Sequence, residues 1–223
     1  MIKAIIFDLD GVLIETEQET FKFYQQYLKK YNIILKDDNF KYKAGRKSKD
    51  FWRDVLSEKD LKKIYTTEIT NLKRELFNKY PEKYIKKIAG TEEMLQSLKE
   101  KGFTLAVASQ NEKAMIKTVL RFLNIEKYFD LVLSKNDIKS LKPDPEIYLL
   151  AMKQLNLTPD QCIVVEDSKD GIAAAKNAKI FCIGIKHDYY PENTLEKADL
   201  AANDLKNLAS EIIKKAGESQ SPL

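Results

Sequence analysis

Histidine and cysteine are almost absent: the 223 residues include one histidine, His187, and two cysteines, Cys162 and Cys182. One histidine excludes a histidine-rich zinc site, and the absence of a CxxC pair leaves a thiolate zinc site or a dithiol redox centre unsupported. Both cysteines sit inside apolar, strand-like runs (162–165 and 180–183), which predicts buried free thiols rather than a disulfide. Long apolar stretches are missing too. The first such run, residues 4–7, ends at the acidic Asp8, far short of the roughly 20 residues a membrane span needs. A secretory signal places a longer apolar stretch after basic residues, so Met1-Ile2-Lys3 is not read as one and the expected compartment is the cytoplasm. Glycine-rich phosphate loops of the GxxxxGKS/T or GxGxxG kind do not occur, leaving nucleotide binding by those routes unsupported.

Charge of one sign is not in great excess. With 38 Lys/Arg against 34 Asp/Glu, the net charge of +4 is too small and too mixed to imply a nucleic-acid partner. Its distribution is uneven: residues 15–85 hold 17 Lys/Arg against 12 Asp/Glu, and the remainder 21 against 22. The basic segment is the part better suited to face an anion, although lysine-rich helix faces are commonly just solvated. A content of 43% hydrophobic and 32% charged residues suits a globular chain and argues against disorder.

Five short runs rich in β-branched and aromatic residues stand out at 2–9, 103–108, 131–133, 162–165 and 180–185. They are nearly continuous rather than alternating, as expected of parallel strands covered on both faces. Helical patterns separate the last four. One opens at Thr91 and closes at Gly102, the next runs from Glu112 to Leu123, a third follows Asp144-Pro145, and a fourth is capped by Ser168. This alternation predicts an α/β fold with a doubly wound parallel sheet, a Rossmann-like core. Residues 15–85 are different: they carry only helical stripes, such as Phe21, Tyr24, Leu28 and Tyr31, or Tyr65, Ile69, Leu72 and Leu76. So much helix between consecutive strands exceeds a crossover and predicts an inserted helical cap domain. The expected division is a catalytic core of residues 1–14 and 86–223 with a cap of 15–85, and a frayed polar tail from Ala216.

The first strand ends Phe7-Asp8-Leu9-Asp10-Gly11. Strand residues two apart project to one side, so Asp8 and Asp10 can share a site, where they would repel unless a cation or proton intervenes. Beyond the other strands come Ser109-Gln110-Asn111, Lys142-Pro143-Asp144-Pro145 and Glu166-Asp167-Ser168. Doubly wound sheets bind ligands at the carboxyl ends of their strands, so all these groups arrive at one edge. Hard carboxylate oxygens suit magnesium, with Asp8 and Asp167 the first candidates and Glu166 a direct or water-mediated support. Ser109, Gln110 and Lys142 are candidates to hold phosphate oxygens. Asp8 can attack phosphorus as a nucleophile, and Asp10 can protonate the leaving alcohol and then deprotonate water.

The runs FDLDGVL, ASQ, LKPDPEIY and VVEDSxxGIxAA, in this order and spacing, closely resemble the haloacid dehalogenase superfamily, in the capped branch with phosphoglycolate phosphatases and β-phosphoglucomutases. The resemblance implies Asp8 as nucleophile, Asp10 as general acid/base, Ser109 and Lys142 as phosphate ligands, and Asp167 with the Asp10 main-chain carbonyl on Mg2+. It implies a phosphatase acting on a small phosphorylated metabolite. Dehalogenases lack the second aspartate, so Asp10 counts against carbon–halogen chemistry. The mutases carry a cap histidine where this chain has Thr20 and a cap arginine near Ser48, which weakens that alternative. A non-enzymatic relative would have lost some of these residues. Two further departures are Lys179 in place of a glycine and Gly171 where many relatives have a second aspartate, whose part Glu166 is expected to take. Asp170 reads as helix-start charge, and His187 as a surface or loop-packing residue. Arg46 and Lys47, beside Gly45, are candidates for substrate contact from the cap.

Overall fold

Apolar residues at every position of 4–7 leave a strand no face to turn to water, and all four are buried. The structure, a computed structural model, describes residues 1–42 and 48–218. In chain order its strands are β1 (Ala4–Phe7), β2 (Ile14–Glu15), β3 (Lys86–Lys87), β4 (Thr104–Ala108), β5 (Leu131–Leu133), β6 (Cys162–Glu166), β7 (Phe181–Ile185) and β8 (Leu200–Ala202). The helices are α1 (Glu17–Lys29), α2 (Ser48–Val55), α3 (Glu58–Leu61), α4 (Thr66–Lys79), α5 (Pro81–Tyr84), α6 (Thr91–Glu100), α7 (Lys113–Phe122), α8 (Glu146–Leu155), α9 (Lys169–Asn177) and α10 (Leu205–Glu218).

Six strands form one parallel sheet in the order β5-β4-β1-β6-β7-β8. Successive side chains alternate between its two faces. Ile5, Phe7, Leu105, Val107, Ile163 and Val165 join one core with residues of α6, α7 and α10. Ala4, Ile6, Ala106, Ala108, Cys162 and Val164 join a second core under α8 and α9. That second face is lined by small side chains on sheet and helices alike, including Ala151, Ala174 and Ala175. Both cysteines are buried free thiols. The α/β doubly wound class is thus the observed one, with one strand more than the sequence signalled. β8 pairs with β7 through Ile183↔Leu200 and has no β-branched or aromatic residue, and Leu200 is 40% exposed at the sheet edge.

Between β2 and β3, which pair antiparallel as Ile14↔Lys87 and Glu15↔Lys86, the regular structure among the described residues is helical. These helices bury their own cluster of Phe21, Tyr24, Leu28, Phe51, Trp52 and Ile69. Tyr65 departs from its expected stripe: it precedes α4 and is 69% exposed, because its backbone is already extended there. Ala216, expected to open a frayed tail, lies instead within a helix. α10 continues through Glu218, with Leu205, Leu208, Ile212 and Ala216 falling on one buried face at helical spacing. Lys179 adopts φ 62°, the left-handed conformation of the glycine it replaces.

Candidate active site

β1 is the pivot of the sheet: the chain builds outward from it through β4 and β5, then returns to its other side with β6. The order therefore reverses between β1 and β6, and the crevice beyond their carboxyl ends is where such sheets bind ligands. Asp8 follows β1, its N–H still donating to Val165 O at 2.9 Å, and Glu166 and Asp167 end the neighbouring strand. A strand-to-loop turn then has to pass close beneath Asp167. Gly11 makes this possible, with φ +74° and a position where a Cβ would lie 1.8 Å from Asp167 Oδ2.

Lys142 reaches into the same crevice from the segment before α8. Its Nζ donates to Asp8 Oδ1 at 2.6 Å, to Glu166 Oε1 at 2.6 Å and to Ala108 O at 3.0 Å, so all three ammonium protons are engaged. Burial pulls its pKa down, but the Asp8 and Glu166 carboxylates outweigh this and hold it above the ordinary lysine range. Glu166 is fully buried. Besides Lys142, its Oε1 accepts from Tyr148 Oη at 2.9 Å, while Oε2 accepts from the Asp167 and Ser168 N–H groups and from Ser168 Oγ. Burial alone would raise Glu166, yet these donors, Lys142 foremost, hold it below the usual carboxylate range. Glu166 also explains Gly171: a Cβ there would lie 1.8 Å from Glu166 Oε1. A side chain at 171 and the glutamate at 166 compete for one space.

Asp8 and Asp167 are the strained members. Burial pushes Asp8 up to about 7, with Glu166 and Asp10 adding to the rise and Lys142 opposing it. Asp167 is raised well above its ordinary value by burial first, then by Glu166 and Asp8. One consequence is a pH dependence of the metal-free protein. An unfolded aspartate ionises near 3.8, whereas folded Asp8 keeps its proton to about 7. Across that window the unfolded chain holds fewer protons, so stability falls as pH rises and levels off above it. Chelated wild type is expected to lose Tm between about pH 4 and pH 7 more steeply than Asp8→Asn, and Mg2+ is expected to restore the loss at the upper end. Equal slopes in the two proteins would show that Asp8 carries no burial penalty.

Asp10 points elsewhere in the same site. Its Oδ1 accepts from Thr16 Oγ1 at 2.6 Å, and its Oδ2 from the Asn111 side-chain amide. Ser109 is 2% exposed and its Oγ accepts from Asn111 N–H at 3.2 Å. Gln110 keeps a buried Nε2 with no acceptor among the described residues, a donor that an anion's oxygen would satisfy. Ser168 caps α9, accepting from Gly171 N at 3.1 Å, and Asp170 lies in that helix's first turn. Arg46 and Lys47 lie outside the described residues.

Several residues hold the site's carboxylates in ways the sequence did not signal. Thr16 and Asn111 hold Asp10 and Tyr148 holds Glu166; Asn111 and Tyr148 fall in the segments 109–111 and 141–148, but nothing there marks which carboxylate each meets. His187 turns out to be part of the site's wall: its Nε2–H donates to Gly11 O at 2.7 Å and lies 3.8 Å from Asp167 Oδ2. The only hint was its place after a strand's carboxyl end.

The fit of a divalent cation follows from the donor set. Asp8, Glu166 and Asp167 each offer a carboxylate oxygen, and these atoms lie within 4.8 Å of one another. Two buried carboxylates and the half-buried Asp8 face one lysine, so a hard dication would complete the charge balance that burial leaves open. Among the described residues no helix is long and apolar enough to cross a membrane.

Comparison with known proteins agrees with this geometry. A family profile described as haloacid dehalogenase-like hydrolase matches residues 5–185. The chain is 32% identical to a phosphorylated carbohydrates phosphatase of Thermotoga maritima over 220 residues, spanning 95% of this chain and 100% of the relative. It is 30% identical to a phosphoglycolate phosphatase of Aquifex aeolicus over 79% of this chain and 81% of that one. The solved β-phosphoglucomutase of Clostridium difficile superposes with a TM-score of 0.73 at 27% identity, covering 98% of each chain.

Proposed function

The chain belongs to the haloacid dehalogenase-like hydrolases and is a phosphatase, and on this basis we propose a magnesium-dependent hydrolysis of a small phosphorylated metabolite through a phosphoryl group carried on Asp8. The observation that supports it most is the Asp8–Lys142–Glu166 chain, with both bonds at 2.6 Å, at the point where the strand order reverses. It presents a carboxylate oxygen, already directed by an ammonium group, at the strand-end crevice where such sheets bind ligands.

Asp8 forms a bond to phosphorus as the bond to the leaving oxygen breaks, and Asp10 gives its proton to that oxygen. A water then attacks phosphorus, Asp10 takes its proton, and Asp8 departs as the free carboxylate. Thr16 and Asn111 hold the Asp10 carboxyl between them. Ser109 and Gln110 hold the phosphoryl oxygens, and Lys142 joins them by turning to the phosphoryl group the proton it gives Asp8 Oδ1 in the free site. Asp8, Asp167 and the Asp10 carbonyl would bind Mg2+, which when bound screens the attacking carboxylate from the phosphoryl charge. Glu166, with both oxygens occupied by donors, acts mainly to hold Lys142 in place.

Residues 15–85 act as a cap over this edge, excluding bulk water and choosing the leaving group. They offer a cleft of about 460 Å³ lined by Trp52, Arg53, Thr70 and Arg74 among others. Arg74 pairs at 3.0 Å with Glu112, the residue after Asn111, and Trp52 Nε1 is buried without an acceptor among the described residues.

A panel of phosphorylated metabolites, assayed for phosphate release and for sugar-phosphate isomerisation, tests the reading. Phosphate release that stops on chelation and returns with Mg2+ is the expected result. Isomerisation without net release would replace it with the mutase reading, and turnover indifferent to chelation would remove the metal from it.

A further inference from the structure

The loop after β7, His187-Asp188-Tyr189-Tyr190, touches three separate parts of the site within four residues. His187 holds the turn after β1 at Gly11 O. The Tyr190 hydroxyl donates to Asp167 Oδ2. The Tyr189 hydroxyl donates to Glu15 Oε2, on the strand that leads into the helical insertion. Glu15 also holds the start of α1, where its Oε1 accepts from Glu17 N at 2.7 Å and Gln18 N at 3.3 Å, the first N–H groups of that helix. Thr16, at the capping position, makes no side-chain cap because its hydroxyl is directed to Asp10. The carboxylate that caps α1 is therefore the one Tyr189 holds.

The loop is stiff. The Tyr189 and Tyr190 rings meet edge to face at 5.1 Å, and His187 stacks on Tyr189 at 5.1 Å and meets Tyr190 at 5.0 Å. From the insertion, Phe40 packs against Tyr189 at 5.2 Å. A shift of α1 or of Phe40 is thus passed to Tyr189, and through ring contact to the hydroxyl on Asp167.

We propose that Tyr190 is a positioning residue that orients the Asp167 carboxylate for its divalent cation, and that Tyr189 ties this orientation to α1, so that cation affinity depends on where the insertion sits. The inference rests on reading Asp167 as a metal-binding carboxylate. Partners that hold a metal ligand from behind change metal affinity about 10- to 100-fold when removed.

The test is the Kd for Mn2+, read by electron paramagnetic resonance on the full chain without substrate. Tyr190→Phe keeps the ring and removes the hydroxyl, and is expected to raise Kd by about 10-fold or more. Tyr189→Phe is expected to raise it by a smaller factor, about threefold, and the double variant to match Tyr190→Phe alone, because the two act in series. A Tyr190→Phe Kd within about twofold of wild type overturns the positioning role, and additive effects of the two variants overturn the link to α1. Glu15→Gln reaches the same link from the insertion side, without touching the loop, and no change in Kd there also overturns it. Asp167→Asn separates the two levels. If it binds Mn2+ as wild type does, the metal reading of Asp167 fails and takes the inference with it. If it loses Mn2+ while Tyr190→Phe does not, the inference alone fails.

Discussion

Asp8→Asn is expected to lower phosphatase turnover by about 10⁴-fold or more, with the protein still folded, because the oxygen that attacks phosphorus is gone and no other group can replace it. The substitution keeps the shape of the side chain and one carbonyl oxygen for Lys142 Nζ, which sits 2.6 Å from Asp8 Oδ1 in the native chain. A loss of activity is therefore not a loss of fold. Burial pushes the Asp8 carboxyl up to about 7, so the folded chain resists the charged form that catalysis needs. An uncharged amide removes this penalty, and at neutral pH the metal-free variant is expected to melt above wild type. The pair of measurements is more decisive than either alone. Reduced activity with a lower Tm would point to disruption, whereas reduced activity with an equal or higher Tm isolates the nucleophile. Substantial turnover by Asp8→Asn would end the covalent mechanism.

Lys142→Met is expected to destabilise the fold by about 3–5 kcal/mol at neutral pH and to abolish turnover, the usual consequence of leaving buried charge without its partner. Lys142 is 4% exposed, and Asp8, Ala108 O and Glu166 take all three of its protons. Methionine fills much of the same volume, so packing over Tyr148, whose ring lies 5.1 Å beneath Nζ, survives. What disappears is the only cation found among Asp8, Glu166 and Asp167 in the described site. The loss is expected to shrink as pH falls, since the freed carboxyls take up protons, and to shrink with added Mg2+. Chemical denaturation across pH measures both effects. A pH-independent ΔΔG, or one under about 1 kcal/mol, would mean that Lys142 is not the group balancing these carboxylates.

These two residues also show how far the sequence could be read. Asp8, Asp10 and Glu166-Asp167 were legible because they close apolar runs, and Lys142 because it stands between a strand and a helix; the parallel-strand pattern sends such positions to one edge. Ser168 was legible for a similar reason, since capping chemistry is local. Gly171 was visible only as a departure from relatives, and its reason, the oxygen of Glu166 standing where a Cβ would be, lies across space. Thr16 and Tyr190 carried no signal, and Asn111 and Tyr148, though within the segments 109–111 and 141–148, carried none of the carboxylate each would meet. Hydroxyls and amides occur throughout any chain, and which carboxylate each one meets depends on pairs up to 101 residues apart.

Five of the six sheet strands, the helices between them, the long helical insertion and the identities of the candidate reacting groups thus follow from the order of residues alone, because periodicity, turn chemistry and strand ends are written in neighbouring positions. How those groups are held comes only from the folded chain. Folding sets Lys142 between two carboxylates and gives Glu166 its full complement of donors. It brings the loop carrying His187, Tyr189 and Tyr190 back over Gly11, Glu15 and Asp167. Long-range packing, not local pattern, fixes the distances between side chains, and through burial and neighbouring charge those distances fix which carboxylates are ionised and which oxygen is free to react.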